Sequence, residues 1–153
     1  MRQSGSMTRT PLRTTDRSLP IALLRARETV MGPVREMLAT SGVNEQKWRV
    51  LRVLDESGPM DQSLLADRAC LQLPSLTRIL RAMEDQALVV RATDPGDRRR
   101  SIVSITAAGQ QVIDDHAEAS RALFARLDAA YGRERMDTLL DLLDALTRTD
   151  LKG

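Results

Sequence analysis

Hydrophobic positions recur at three- and four-residue intervals along most of this chain, and one stretch breaks the rule. Leu23, Leu24, Val30, Met31, Val34, Met37 and Leu38 fall at helical spacing. Ser18 is a good N-cap, and Pro20 sits early in the helix, where its missing N–H does no harm. Ser41-Gly42 is a stop signal. Pro33 lies inside the segment and is expected to kink or divide it. A second helix starts at Asn44, carries Trp48, Leu51 and Leu54 on one face, and ends at Ser57-Gly58-Pro59. Asp61 caps a short third helix through about Ala69, with Leu64 and Leu65 expected to face inward. Leu76, Ile79, Leu80 and Met83 then stand at i, i+3, i+4 and i+7, which predicts an amphipathic helix over residues 74–86.

From Leu88 the period changes. Leu-Val-Val-Arg-Ala leads into the turn residues Asp94-Pro95-Gly96-Asp97, and Ile102, Val103 and Ile105 resume as a short strand beyond them. Two strands around a turn make a hairpin. Thr106 caps a long helix with Val112, Ile113, Leu123, Phe124 and Leu127 on one side. A last helix, near residues 133–147, carries Met136, Leu139, Leu140, Leu143 and Leu146. The expected fold class is mainly α with a small β-hairpin wing: six helices forming a winged helix-turn-helix with flanking helices.

Composition narrows the function classes. The length of 153 residues fits one domain, and 42% hydrophobic residues suffice for a core. Aromatics are 2%, represented by Trp48, Tyr131 and Phe124, which argues against a single-strand binder built on base-stacking platforms. The net charge of +2 says little by itself. Its distribution says more: residues 106–153 hold six basic and nine acidic side chains, so positive charge concentrates earlier. Residues 1–17 are rich in Ser, Thr and Arg without a period and are expected to be a disordered tail. A single cysteine, Cys70, cannot make an internal disulfide, and no apolar run approaches the ~18 residues of a membrane span. A cytoplasmic protein with no membrane role is the expectation. One histidine, one cysteine, no Gly-rich phosphate loop and no metal-ligand spacing point away from an enzyme, a cofactor or a metal site.

The charged residues form a pattern that suits duplex DNA. Opposite the stripe of the fourth helix stand Ser75, Thr77, Arg78 and Arg81. A helix of this kind enters the major groove, where arginine pairs bidentately with guanine and hydroxyls reach phosphates or base edges. Arg98, Arg99 and Arg100 are expected at the hairpin turn, suited to a narrow minor groove. Asp97 is costly against phosphates, so its expected role is to hold one of those arginines. A solvated charge run is the structural alternative, and for Arg81, far along its helix, that alternative is stronger.

The stretches "LPSLTRILRAMEDQALVVR", "DPGDRRRSIVSIT" and "AAGQQVI" resemble the multiple-antibiotic-resistance regulator (MarR) family, whose hallmark wing reads Asp-Pro-x-Asp-Arg-Arg before a strand. "SLPIALLRARETVM", "NEQKWRVLRVL" and "ACLQLPSLTRIL" are similar to its homoprotocatechuate-operon repressor subgroup. The likeness spans roughly residues 18–147. It implies a cytoplasmic homodimer, intertwined through helices at 18–42 and 106–150 around a winged-helix part at 44–105, all within one domain at 18–153. It also implies repression of genes until a small ligand, in this subgroup an aromatic acid, releases the DNA. The last two helices support a dimer independently, since their leucines lie on more than one side.

Arg27 interrupts the apolar stripe of the first helix, so it is either an ion-pair partner or a carboxylate-binding group. Trp48 and Arg49 are the candidates to complete a ligand site, with plain core and surface charge as their alternatives. His116 reads as a hydrogen-bonded core or interface residue, and Cys70 as a buried structural thiol. Two rival readings stand: a family-like regulator with another trigger or none, and a helical protein-interaction module without DNA binding.

Overall fold

The computed structural model describes residues 9–153, so residues 1–8 of the expected tail lie outside the described residues. Residues 9–17 are exposed and hold one turn of 3-10 helix at Thr15–Arg17. Six helices and three short strands follow in the order α1 (Leu19–Leu38), α2 (Glu45–Ser57), β1 (Met60–Asp61), α3 (Gln62–Arg68), α4 (Leu73–Asp85), β2 (Val89–Asp94), β3 (Asp97–Ile105), α5 (Ala107–Tyr131) and α6 (Arg133–Thr147).

The contacts separate a first unit, ending at Gly32, from a second, Pro33–Gly153. In the first, the apolar positions of α1 remain largely uncovered: Leu19, Leu23 and Leu24 are all exposed. Pro33 does not divide the predicted segment. Proline removes a single N–H donor, and the helix continues to Leu38.

The second unit is organised by its caps. Asn44 Oδ1 accepts from the Lys47 amide at 2.9 Å, Asp61 Oδ1 from Leu64 at 2.8 Å, and Thr106 Oγ1 from Gly109 at 3.0 Å. Each satisfies a backbone donor that has no partner within its own helix. Gly58 ends α2 at φ 75°, a left-handed conformation that glycine adopts without steric cost.

The core lies where α2, α3, α4 and the sheet meet: Leu51, Leu54, Leu65, Leu76, Leu80, Met83, Val89 and Val103 are fully buried. The α4 stripe is as expected. Leu64 is not, because it stays exposed while Leu65 turns inward. On a seven-residue helix the buried face admits Leu65 and Ala66, and Leu64 lies a third of a turn away.

The sheet holds one strand more than the hairpin predicts. Its order is β1-β3-β2, all antiparallel, with Met60 opposite Val103 and Asp61 opposite Ile102. The turn itself is Pro95-Gly96, with the Gly96 amide donating to Asp94 Oδ1 at 2.9 Å. Residues 98–100 therefore belong to the outer end of β3, which corrects their expected place at the turn.

α5 packs its start against the wing root. Thr106 Oγ1 donates to the Ala87 carbonyl at 2.6 Å, and a Cβ on Gly109 would stand 2.3 Å from the Leu88 carbonyl oxygen. Further along, Ile113 and Leu123 are buried, but Phe124 is exposed rather than covered. No residue of α6 is buried, and Leu140, Leu142 and Leu146 face outward.

Candidate nucleic-acid interface

α3, α4 and the wing enclose a groove of about 440 Å³, lined among others by Ser63, Leu73, Thr77, Arg99 and Arg100. Arg98, Arg99 and Arg100 follow one another along the outer part of β3, and all three are exposed. Arg78 and Arg81 are exposed on α4, whereas Ser75 and Thr77 are half-buried. Exposed guanidinium groups thus stand on the helix and on the wing strand, with a cleft between them.

Arg100 is held. Its Nη2 donates to Asp61 Oδ2 at 2.8 Å, and its Nη1 lies 3.6 Å from Asp94 Oδ2. The Leu64 amide, and then Arg100, keep the Asp61 carboxyl below its ordinary pKa, since both bind the charged form. Asp97 does not hold a guanidinium. Its Oδ1 accepts from the Arg99 backbone amide at 3.0 Å, so it shapes the chain leaving the turn. Proximity in sequence points to a neighbouring acid as the arginine's partner, but the sheet register brings the partner from 39 positions away.

Thr77 is also committed within the fold. It donates to the Leu73 carbonyl at 3.0 Å and accepts from Gln62 Nε2 at 2.6 Å. Gln62 Oε1 accepts in turn from Arg91 Nη1 at 3.5 Å, and Arg91 pairs with Glu84. This polar chain ties α3 to α4 and to β2, fixing the angle between α4 and the wing. Arg78 and Arg81 are the exposed basic side chains of α4.

A second feature lies between α2 and α5. A cavity of about 200 Å³ is lined by Trp48, Arg52, Ile113, Ala117, Ser120 and Arg121. Trp48 is 8% exposed and meets the His116 ring edge-on, with centroids 5.8 Å apart. His116 Nδ1 donates to the Val112 carbonyl at 2.8 Å, which orients the ring. Arg49 does not line this cavity. It is half-buried one residue along, whereas Arg52, one helical turn on from Trp48, shares its face. The i, i+4 spacing of Trp48 and Arg52 is the signal in the sequence that points to the second residue. Arg27 is exposed on α1 rather than buried in a stripe. Cys70 is exposed too, at φ 54° in the α3–α4 connection, which corrects the reading of a buried thiol.

Among the described residues no helix is long and apolar enough to cross a membrane. The MarR family model matches residues 43–101, the span from the start of α2 into the wing. The homoprotocatechuate degradative operon repressor of Escherichia coli is 39% identical over 127 residues, covering 83% of this chain and 86% of that protein. The HTH-type transcriptional regulator FarR of Neisseria gonorrhoeae is 34% identical over 140 residues, covering 92% and 96%. Among solved structures, NadR in complex with 4-hydroxyphenylacetate superposes with a TM-score of 0.78 at 35% identity, covering 92% of this chain and 100% of that one. Frame, family match and near-full-length relatives agree, and the chain belongs to the MarR family of winged-helix, DNA-binding transcriptional regulators.

Proposed function

We propose that this protein is a dimeric repressor that grips a pseudo-palindromic operator and releases it when a small aromatic carboxylate binds. In each copy α4 enters the major groove with Arg78 foremost, while Arg98 and Arg99 reach the flanking backbone or minor groove and Arg100, tethered to Asp61, sets the wing. A two-fold pair places the reading heads ~34 Å apart, one turn of duplex. The uncovered leucines of α1 and α6 supply the apolar surface that a second copy buries.

The observation that carries the ligand part is the Trp48 cavity. It is lined by one aromatic residue, Trp48, two arginines, Arg52 and Arg121, and Ser120. Guanidinium pairs a carboxylate bidentately, and an indole face stacks on a phenyl ring. Its ~200 Å³ lies below the ~300–1,000 Å³ of pockets for drug-sized ligands, which favours a single ring. The solved relative that carries 4-hydroxyphenylacetate and the repressor of a homoprotocatechuate operon support the same class.

The cavity lies between a helix of the winged part and a helix of the flanking pair, so filling it biases their angle. Ligand then favours dimers whose heads are wrongly spaced for the operator, a shift of population between two states. A gel-shift on the intergenic DNA upstream of the gene, with phenolic acids titrated in, tests the proposal. Expected is a sequence-preferring complex that 4-hydroxyphenylacetate or a close analogue dissolves. A complex indifferent to a wide panel of aromatic acids overturns the ligand part, and equal binding to all fragments overturns the whole.

A further inference from the structure

We propose that Leu73 reads thymine, by placing its side chain against the C5-methyl group on the major-groove edge of the operator. The inference rests on the DNA-binding reading above and adds one specificity-determining residue to it. Leu73 opens α4 and remains 44% exposed. It lies at the open end of the face that buries Leu76 and Leu80, beyond the residues that helix covers. The groove it lines is otherwise polar or charged, with Asp61, Gln62, Thr77, Arg99 and Arg100 around it.

A single surface leucine needs no account in general. This one stands at the end of the recognition helix that meets base edges, beside arginines that draw the phosphate backbone in. Its backbone is held, since the Leu73 carbonyl accepts from Thr77, Thr77 accepts from Gln62, and Pro74 fixes the next φ. The side chain is thus carried on a rigid base. Leucine neither donates nor accepts a hydrogen bond. The apolar group that the major groove displays is the thymine methyl, so that group is the one a leucine distinguishes. Removing one methyl from water corresponds to about a fourfold gain in affinity per half-site.

The test uses the full chain and a duplex enriched by it from a randomised pool. Each thymine of that duplex is replaced singly by deoxyuridine, which lacks only the methyl. Expected is one position per half-site where the replacement weakens wild-type binding about fourfold. At that position Leu73→Ala and Leu73→Gln bind thymine and deoxyuridine alike, with the salt dependence of wild type, since leucine carries no charge. Indifference of the wild type to every replacement overturns the inference and leaves the regulator reading standing, as does full thymine sensitivity in both variants. A pool from which nothing is enriched overturns the regulator reading and this inference with it.

Discussion

Asp61 and Arg100 form an ion pair at 2.8 Å that joins the first turn of α3 to the outer part of the wing strand. The same carboxylate caps α3 through its other oxygen, accepting from Leu64 at 2.8 Å. One side chain therefore starts α3 and anchors the wing beside it. Asparagine caps a helix as well as aspartate does but cannot pair with a guanidinium. Asp61→Asn is expected to keep the wild-type melting temperature nearly unchanged and to bind operator DNA severalfold more weakly, by fluorescence anisotropy. Charge alone predicts the opposite, since removing an acid near phosphates should tighten binding. An affinity at or above wild type would remove the anchoring role.

The pH dependence of that pair follows from the direction of its shift. The folded state holds the Asp61 carboxyl below its ordinary pKa, first through the Leu64 amide and then through Arg100. A lowered carboxyl pKa contributes stability that is fully present above the unfolded value of ~3.9 and is lost as pH falls through the folded one. Urea titrations should show the advantage of wild type over Asp61→Ala constant from pH 5 to 8 and shrinking below about pH 4. An advantage that shrinks between pH 6 and 8 would contradict the assignment.

Arg99 and Arg78 should differ in kind. A guanidinium on phosphate releases counterions, so its loss lowers the slope of log affinity against log salt by ~0.9 per contact. Arg99→Gln in a dimer is expected to reduce that slope by about two and to weaken all duplexes alike. Arg78 at a base edge costs about 1–3 kcal/mol on removal and flattens the preference at one base pair per half-site. Competition binding at several salt concentrations separates the two, and a uniform loss for Arg78→Ala would move that residue to the backbone.

Much of the fold is legible in the sequence, for physical reasons that vary by residue. Asn44, Asp61 and Thr106 declare helix starts because a cap is a local event, decided by one side chain and an amide three residues on. The stripe from Leu76 to Met83 declares its buried face by period alone. β1 escaped notice because two residues, Met60 and Asp61, carry no period, and their pairing with β3 is set by the fold. Asp97 was assigned the partner role that Asp61 fills, since contacts across a sheet are invisible to sequence proximity. Arg49 follows Trp48 directly in sequence, but adjacent helical residues point about 100° apart, and the cavity is lined by Arg52 instead.

Gly109 offers a test of packing. In an exposed helix, Gly→Ala stabilises by roughly 0.5–1 kcal/mol. Here the added carbon meets the Leu88 carbonyl at 2.3 Å and Ile105 Cγ1 at 2.8 Å, and backbone cannot yield as a side-chain tip can. Gly109→Ala should therefore destabilise by about 1–3 kcal/mol, the usual cost of overpacking, read by urea unfolding. A stabilised variant would show that α5 and the wing root can separate at no cost.

Association is the last matter the surface decides. α6 leaves Leu140 at 56% and Leu142 at 63% exposure, while Met136, Leu139 and Leu143 of the same helix are half-covered within the chain. Leucines on two sides of one helix make a face that a monomer leaves wet, and a two-fold partner buries it with the same residues. Wild-type protein is expected to sediment at twice the monomer mass of 17.0 kDa, and Leu140→Asp/Leu142→Asp at the monomer mass. Because these leucines do not enter the core, the far-ultraviolet spectrum of the variant should match wild type. Its operator affinity should fall toward that of a single half-site, since joining two reading heads raises avidity by ~10²–10⁴ without new contacts. A wild-type chain that sediments at 17.0 kDa would deny the dimer. A monomeric variant with undiminished operator affinity would show instead that one copy suffices to hold the DNA.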